Sequence, residues 1–311
     1  MGNNIFKKGS KYLSNQEFRI RVNSKLGFYN NMNDKKYIEK LFKASMGYPI
    51  DLDNPKTFNE KLQWLKLYNR NPEYTRLVDK YRVRSYIRQK LGEEYLIPLL
   101  GVWDDPDDID FESLPNKFVI KCNHNSGLGM CICKDKTKLD IQSVKDNLKK
   151  GLGQNYYLMG REWPYKNVPR KIIAEEYMVD NSNSNEFTDY KFFCFNGYVD
   201  CVMVCLDRNT GNPKFYFFDR DWNLKRLNKR GKNALKEFTI PKPECIDDMF
   251  AISSKLSKGF PFVRIDLYQS FGQIYFGEMT FYPDSGFDNN ILKESDEYFG
   301  KLIDLSLVKN D

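Results

Sequence analysis

Residues 263–280 read Val263-Arg264-Ile265-Asp266-Leu267-Tyr268-Gln269-Ser270-Phe271-Gly272-Gln273-Ile274-Tyr275-Phe276-Gly277-Glu278-Met279-Thr280. Two runs rich in β-branched and aromatic residues flank Ser270-Phe271-Gly272, which predicts a β-hairpin. Strand side chains alternate between faces, so Arg264 and Asp266 share one side, and Glu278 and Thr280 share one side of the partner strand. Two carboxylates and a hydroxyl on neighbouring strands form an oxygen-rich site suited to Mg²⁺. The planar fork of Arg264 beside them can neutralise anionic oxygens. A surface ion-pair ladder is the alternative. The flanking Phe262, Val263, Ile265, Ile274, Phe276 and Met279 argue for an enclosed sheet, where charges need a reason.

Working outward, Phe118-Val119-Ile120-Lys121 reads as a strand, followed by a polar Gly-containing loop to Gly129 and a second strand, Met130–Cys133. This is a hairpin-like flap, and it lacks the Gly-Lys-Ser/Thr ending of a phosphate-binding P-loop. Lys121 with Ser126, Gly127 and Gly129 can set one ammonium and several backbone amides around phosphate oxygens. A snorkelling surface lysine is the bland alternative. Lys171–Met178 reads as a buried strand. Its end, Glu175-Glu176-Tyr177-Met178, offers backbone groups that could read an adenine edge; strand-end solvation explains the acids equally well.

Around these, Thr57-Phe58-Asn59-Glu60 fits a capping box opening a helix with Phe58, Leu62, Leu65 and Tyr68 on one face. A single helix is predicted over 75–91, with Leu77, Tyr81, Tyr86 and Ile87 inward and Lys80, Arg82, Arg84, Arg88 and Lys90 outward. Further helices are expected over 140–151 and 247–259, and strands over Leu96–Trp103, Tyr190–Phe195, Val199–Leu206 and Phe215–Phe218. Asn196-Gly197 marks a hairpin turn, and Asn181–Asn185 a linker.

Composition bounds the function. The chain has 311 residues and 47 aromatics, too many for a solvated coil. The net charge of +7 is unevenly spread: residues 1–90 carry 20 Lys+Arg against 8 Asp+Glu. That excess suits an anionic partner, with a solvated basic face as the alternative. The aromatics interleaved there recur at mixed spacings, which favours packing over nucleic-acid binding. Seven scattered Cys and one His cannot assemble a zinc site and suit a reducing compartment. Without a leader-like or spanning apolar stretch, a cytoplasmic protein is expected, with peripheral contact at the inner membrane face open.

Taken in order, Asp79-Lys80-x-x-x-Arg84, Phe118–Lys121 with its Ser/Gly loop, Glu175–Met178, Asp189-Tyr190-Lys191 and Arg264-x-Asp266…Glu278-x-Thr280 resemble the ATP-grasp carboxylate–amine ligases. Lys61–Lys66, Gly160–Lys166, Lys191–Gly197 and Gly277–Pro283 resemble the TupA-like branch, associated with teichuronopeptide and capsular polysaccharide synthesis. The resemblance runs from about residue 45 to about residue 290. It implies an α+β ATP-grasp fold, two α+β subdomains clasping ATP, with divisions at 1–75 (basic, mostly helical), 76–180 and 181–311. It further implies that Arg84 and Lys121 contact ATP phosphates and the Ser126–Gly129 loop closes over them. Glu175, Glu176, Tyr177 and Met178 would hold adenine, and Lys191 would reach the phosphates from the second lobe. Asp266 and Glu278, with Thr280, would bind Mg²⁺, and Arg264 would stabilise an oxyanion. The substrates would be a uronic-acid carbohydrate and an amino acid. The family commonly has Lys at Arg84 and Asn at Thr280, and its N-terminal Rossmann-like domain is replaced here by about 75 basic residues.

Three lesser candidates complete the reading. His124 is the sole His, so any Ser-His or Cys-His chemistry would have to use it; a structural or phosphate-contact role fits it better. Asp219-Arg220-Asp221 is the pattern of a metal–nucleotide-sugar site in glycosyltransferases, or a turn before Trp222. Arg161, Trp163 and Lys166 could hold an anionic sugar, and a packed loop is equally open.

Overall fold

The computed structural model describes residues 10–178, 188–207 and 211–308. The Asn/Ser stretch expected to be a linker lies outside the described residues. The chain forms two compact units. One comprises Met1–Arg70, Asn155–Trp163 and Tyr282–Asp311; the other comprises Asn71–Gln154 and Pro164–Phe281.

The first unit is helical: α1 (Gln16–Lys25), α2 (Asp34–Met46), α3 (Phe58–Tyr68) and the later helix Lys293–Leu302. Ile20, Tyr37, Leu41, Phe42 and Phe287 form its apolar cluster. The capping box is present: Thr57 Oγ1 accepts from Glu60 N, and Glu60 Oε2 accepts from Thr57 N at 3.0 Å. The inward face of α3 differs from the expectation at Tyr68, which is half exposed, while Asn59, Glu60, Gln63 and Lys66 are buried. Neighbouring chain encloses the helix on a second side and supplies partners for these polar groups. Asn59 donates to Asp296 Oδ1 at 2.9 Å, and Lys66 Nζ donates to the carbonyls of Gly160 at 2.6 Å and Ser285 at 2.8 Å.

The second unit carries two antiparallel sheets. The smaller has the order β1-β4-β2-β3, from β1 (Leu99–Trp103), β2 (Phe118–Cys122), β3 (Met130–Cys133) and β4 (Ile172–Glu176). One face packs Phe118, Ile120, Cys122, Ile172 and Ala174 against Val144 and Leu148 of a helix over Ile141–Gly153. Alternation therefore leaves Val119, Lys121, Ile173 and Glu175 on the other face. The larger sheet has the order β10-β9-β5-β6-β7-β8, from β5 (Asp189–Phe195), β6 (Tyr198–Leu206), β7 (Lys214–Phe218), β8 (Leu224–Lys225), β9 (Val263–Ser270) and β10 (Gln273–Thr280). The helix Ile246–Ser257 covers one face, its Phe250 ring meeting Phe192 at 5.1 Å. All seven residues of β5 are buried.

The helix expected over 75–91 is instead two, Glu73–Val78 and Val83–Lys90. Asp79 breaks it. Its Oδ1 accepts from the backbone of Tyr81 and Arg82 and from Asn123 Nδ2. A carboxylate bound to local amides competes with helix continuation. Leu77 and Ile87 are inward and Arg82, Arg88 and Lys90 outward as expected, but the break exchanges two positions: Arg84 is buried and Tyr81 is exposed.

The glycine flap is anchored by close backbone packing. A Cβ on Gly151 would lie 2.6 Å from Gly129 Cα and 2.8 Å from Cys122 Sγ. Gly151→Ala is expected to lose roughly 1–3 kcal/mol in urea unfolding, the cost of overpacking. An unchanged midpoint would show that this approach can relax.

Candidate active site

In the hairpin at 263–280, Arg264 and Asp266 share one face of β9 and Glu278 and Thr280 one face of β10, and a one-residue irregularity at Gly277 is what sets Glu278 opposite Asp266. Asp266 pairs with Glu278 and Arg264 with Thr280 across β9 and β10, with a register shift between Phe276 and Glu278. Lys191 on β5 pairs with Asp266 from the other side. Arg264 Nε donates to Asp266 Oδ1 at 2.7 Å. Its Nη2 donates to Asp266 Oδ2 at 2.8 Å, and to Glu278 Oε1 and Thr280 Oγ1, both at 3.1 Å. Lys191 Nζ donates to Asp266 Oδ2 and lies 3.4 Å from Asp189. Asp266 is 1% exposed, so burial raises its pKa against the opposing pull of Arg264 and Lys191. Burial would raise Glu278 too, but Arg264, Lys80 and Lys191 overcome it and hold that carboxyl at about 2. The Glu278 side chain nonetheless keeps 39% of its surface open, so a ligand can reach it.

On the smaller sheet, Lys121 Nζ meets Glu175 Oε2 at 2.5 Å, and Arg84 Nη1 donates to Glu175 Oε1 at 3.1 Å. Arg84 Nη2 donates to the Ile97 carbonyl at 2.8 Å. Glu175 thus bridges two cations. Alternation puts Glu176 on the opposite face, exposed, with its amide donated to Pro98. Tyr177 and Met178 follow, half-buried. Of the loop, Ser126 and Gly127 form an exposed tip, while Asn123, His124, Asn125 and Gly129 are buried at its base. Gly127 and Gly129 have φ of 82° and 70°, the left-handed region that favours glycine.

Lys80 joins the two charged faces and was assigned outward by the helical pattern. Its Nζ donates to the Asn125 carbonyl at 2.6 Å, and its ammonium feels the charges of Glu278 on one sheet and of Lys121 and Glu175 on the other. Burial lowers its pKa, with Glu278 opposing. The signal for it was Asp79, whose capping habit breaks the helix just before it.

The sequence reading also passed over an apolar platform. Met130 pairs with Lys121 and Ile132 with Val119, so these side chains share the charged face. Met130 and Ile132 are 42% and 52% exposed, unusual for a strand in a packed sheet. A flat apolar surface beside clustered cations suits a ligand with a base at one end and phosphates at the other. A cavity of ≈ 620 Å³ adjoins the site, lined by Arg84, Leu96, Pro98, Leu99, Gln273 and Tyr275 among others.

The oxygen donors Asp266, Glu278 and Thr280 are the hard ligands Mg²⁺ takes, and the ionised, accessible Glu278 fits that role. Among the described residues no group of three or more His, Cys, Asp or Glu is close enough to hold a metal. A cation here would rely on two carboxylates and the hydroxyl.

Arg161 and Trp163 belong to the helical unit, and Lys166 to the unit that carries the two sheets. Arg161 is 2% exposed, its Nη2 bonded to the Tyr29 carbonyl and its guanidinium over the Tyr37 and Tyr157 rings at 4.5 and 5.5 Å. Trp163 lies under Arg70, and Lys166 is exposed. Arg161 therefore packs its unit rather than facing a ligand. Asp219 Oδ1 accepts from Asn223 N at 2.8 Å and Asp221 is exposed, which makes the DxD a turn.

A family model for TupA-like ATP-grasp proteins matches residues 60–304. The chain belongs to that family. Among solved structures it is similar to D-alanine–D-alanine ligase from Bacillus anthracis complexed with ATP (15% identity, 75% of this chain and 65% of that one, TM-score 0.43). It is also similar to the Helicobacter pylori enzyme (12%, 82% and 67%, 0.44) and to the ATP-grasp ligase PsnB with phosphomimetic precursor, Mg and ADP (10%, 80% and 66%, 0.40). The chain spans about two thirds of each neighbour's length. No match was found among curated protein sequences. The ATP-grasp fold expected from the sequence is thus the fold of this TupA-like chain.

His124 is buried, with Nε2 3.2 Å from the Gln154 carbonyl, and burial lowers its pKa to about 4. The unfolded chain therefore binds one more proton between pH 4 and the ordinary 6.5, so stability rises with pH across that window and levels above it. Urea unfolding of the wild type is expected to gain up to about 3 kcal/mol there from this residue. His124→Gln should flatten the slope, and an identical pH profile in the variant would refute the assignment.

Proposed function

We propose that this TupA-like ATP-grasp protein is an ATP- and Mg²⁺-dependent carboxylate–amine ligase. The observation that carries the reading is the convergence of Arg264, Asp266, Glu278 and Lys191 on one sheet with Lys121, Glu175 and the bridging Lys80 on the other.

Joining a carboxylate to an amine in water is uphill, so the carboxylate oxygen first attacks the γ-phosphorus and ADP leaves. The amine nitrogen then attacks the acyl phosphate carbon, phosphate leaves, and the displaced proton goes to solvent. Lys80, Lys121 and Lys191 would hold the phosphates as the transferred group spreads its charge. Their carboxylate partners now balance these cations, so polyphosphate binding exchanges one set of anions for another. Asp266, Glu278 and Thr280 would hold Mg²⁺, which supplies charge neutralisation between the phosphates. Arg264 would donate to the oxyanion formed in amine attack. Met130, Ile132 and Val119 would floor the adenine, with Tyr177 and Met178 at its edge, and the Ser126–Gly129 tip would exclude water. In this reading the two sheets are the two lobes clasping ATP.

The substrates we propose are a uronic-acid-containing surface polysaccharide or its precursor and an amino acid or peptide. The likeness of Lys61–Lys66 and Gly277–Pro283 to the teichuronopeptide branch supports that choice. Purified protein is expected to release ADP and phosphate only with both a uronic acid and an amino acid present. Asp266→Asn and Glu278→Gln should each lower that rate on the order of 10²–10³-fold. Lys80→Met should raise the KM for ATP. Unaltered turnover in all three variants would overturn the site assignment.

A further inference from the structure

Among the described residues, five large apolar side chains are more than 60% exposed: Leu13, Leu26, Phe28, Leu235 and Phe271. Three of the five fall within sixteen residues of one another at the start of the helical unit. Leu13 precedes α1 while Leu26 and Phe28 follow it, and local hydrogen bonds tie both flanking segments to the helix. Tyr12 Oη donates to Asn23 Oδ1 at 2.8 Å, Arg19 Nη1 donates to the Leu13 carbonyl at 3.0 Å, and Phe28 N donates to the Asn23 carbonyl at 3.0 Å. Leu26 caps the C-terminal end of α1 through its amide.

The surroundings are cationic. Residues 10–46 carry eight Lys or Arg against three Asp or Glu. Lys11 and Lys25, next to the apolar residues in the chain, are exposed. The three apolar side chains are interspersed with exposed Ser14, Asn15 and Asn30, so they stand as separate prongs rather than line a groove. A protein partner needs a complementary shape for such prongs; a fluid lipid interface does not. Apolar prongs set among cations combine the two signals that hold a protein on an anionic bilayer, shallow insertion and headgroup attraction. No described helix is long and apolar enough to cross a membrane, so such attachment would be to one leaflet surface.

We infer that Leu13, Leu26 and Phe28, with Lys11 and Lys25, seat this protein on an anionic lipid surface. The inference goes beyond the ligase reading and does not depend on it.

The full chain would be sedimented with vesicles of phosphatidylcholine alone, or with a third of the lipid replaced by phosphatidylserine. Retention is expected on the anionic vesicles only and should fall at high salt, where the Debye length shortens to about 3 Å. The pair Leu26→Ser/Phe28→Ser should lower the partition coefficient about tenfold or more. Lys11→Glu/Lys25→Glu should lower it by a comparable factor. All these side chains are exposed, so each variant should keep the wild-type melting temperature, which separates lost binding from lost folding. Absence of the wild type from anionic vesicles would overturn the inference. So would retention unchanged by Leu26→Ser/Phe28→Ser, which would make the surface a simple polyanion contact. A doubled mass in light scattering, abolished by the same pair, would assign the prongs to a second copy and also overturn it.

Discussion

Asp266 is the charge on which the candidate site depends. It is almost fully buried, and both its oxygens are taken: one by Arg264, the other by Arg264 and Lys191 together. An isolated carboxylate at that depth would neutralise itself by taking up a proton. Adjacent strands oppose this by setting cations at the same level, Lys191 on β5 and Arg264 on β9, with Glu278 and Thr280 on β10 beside them. Buried ion pairs are weak evidence for stability, because desolvation offsets much of their attraction. Such a cluster is therefore better explained by the ligand it can exchange partners with than by the fold it supports.

The second sheet repeats the arrangement with opposite emphasis. Glu175 is a single carboxylate held between Lys121 and Arg84, and Lys80 reaches across with its own field. A face that is polar at Lys121 and apolar at Met130 and Ile132 arises from strand alternation alone, since the helix Ile141–Gly153 takes every other residue for its core. The glycines of the flap belong to the same design. Gly129 and Gly151 bring loop and helix close enough that the loop base is fixed, while Ser126 and Gly127 at the tip stay exposed.

The helical unit solves a different problem. Asp284 and Ser285, with φ of 47° and 54°, lie in the left-handed region, which costs energy for residues with a Cβ. They follow directly on the strand that carries Thr280. Lys66, 1% exposed, and Gln63, fully buried, reach into this turn and donate to the carbonyls of Ser285 and Gly286. A buried lysine whose ammonium is spent on backbone carbonyls is a structural cation, and burial lowers its pKa to about 7 against the pull of Glu162 and Asp34. Nothing in the pattern of Lys61–Lys66 distinguishes it from a surface lysine.

The sequence by itself determined the elements whose rule is local. The 263–280 hairpin, the flap around Lys121, the strand ending in Glu175 and the Thr57 capping box follow from alternation, turn chemistry and side-chain reach, each decided within a few residues. Which way a cation points is not local. A continuous helix would put Arg84 and Lys80 in solvent; Asp79 breaks that helix through its own local amides, and the partners that then receive the two cations are distant, Glu175 and Ile97 for Arg84 and Asn125 for Lys80. For Arg161 a sugar contact and a packed loop are equally open in the sequence; Tyr37 and Tyr157 enclose its guanidinium. Tertiary structure decided these cases because a charge settles where distant partners replace its lost water, and no short stretch of sequence contains those partners.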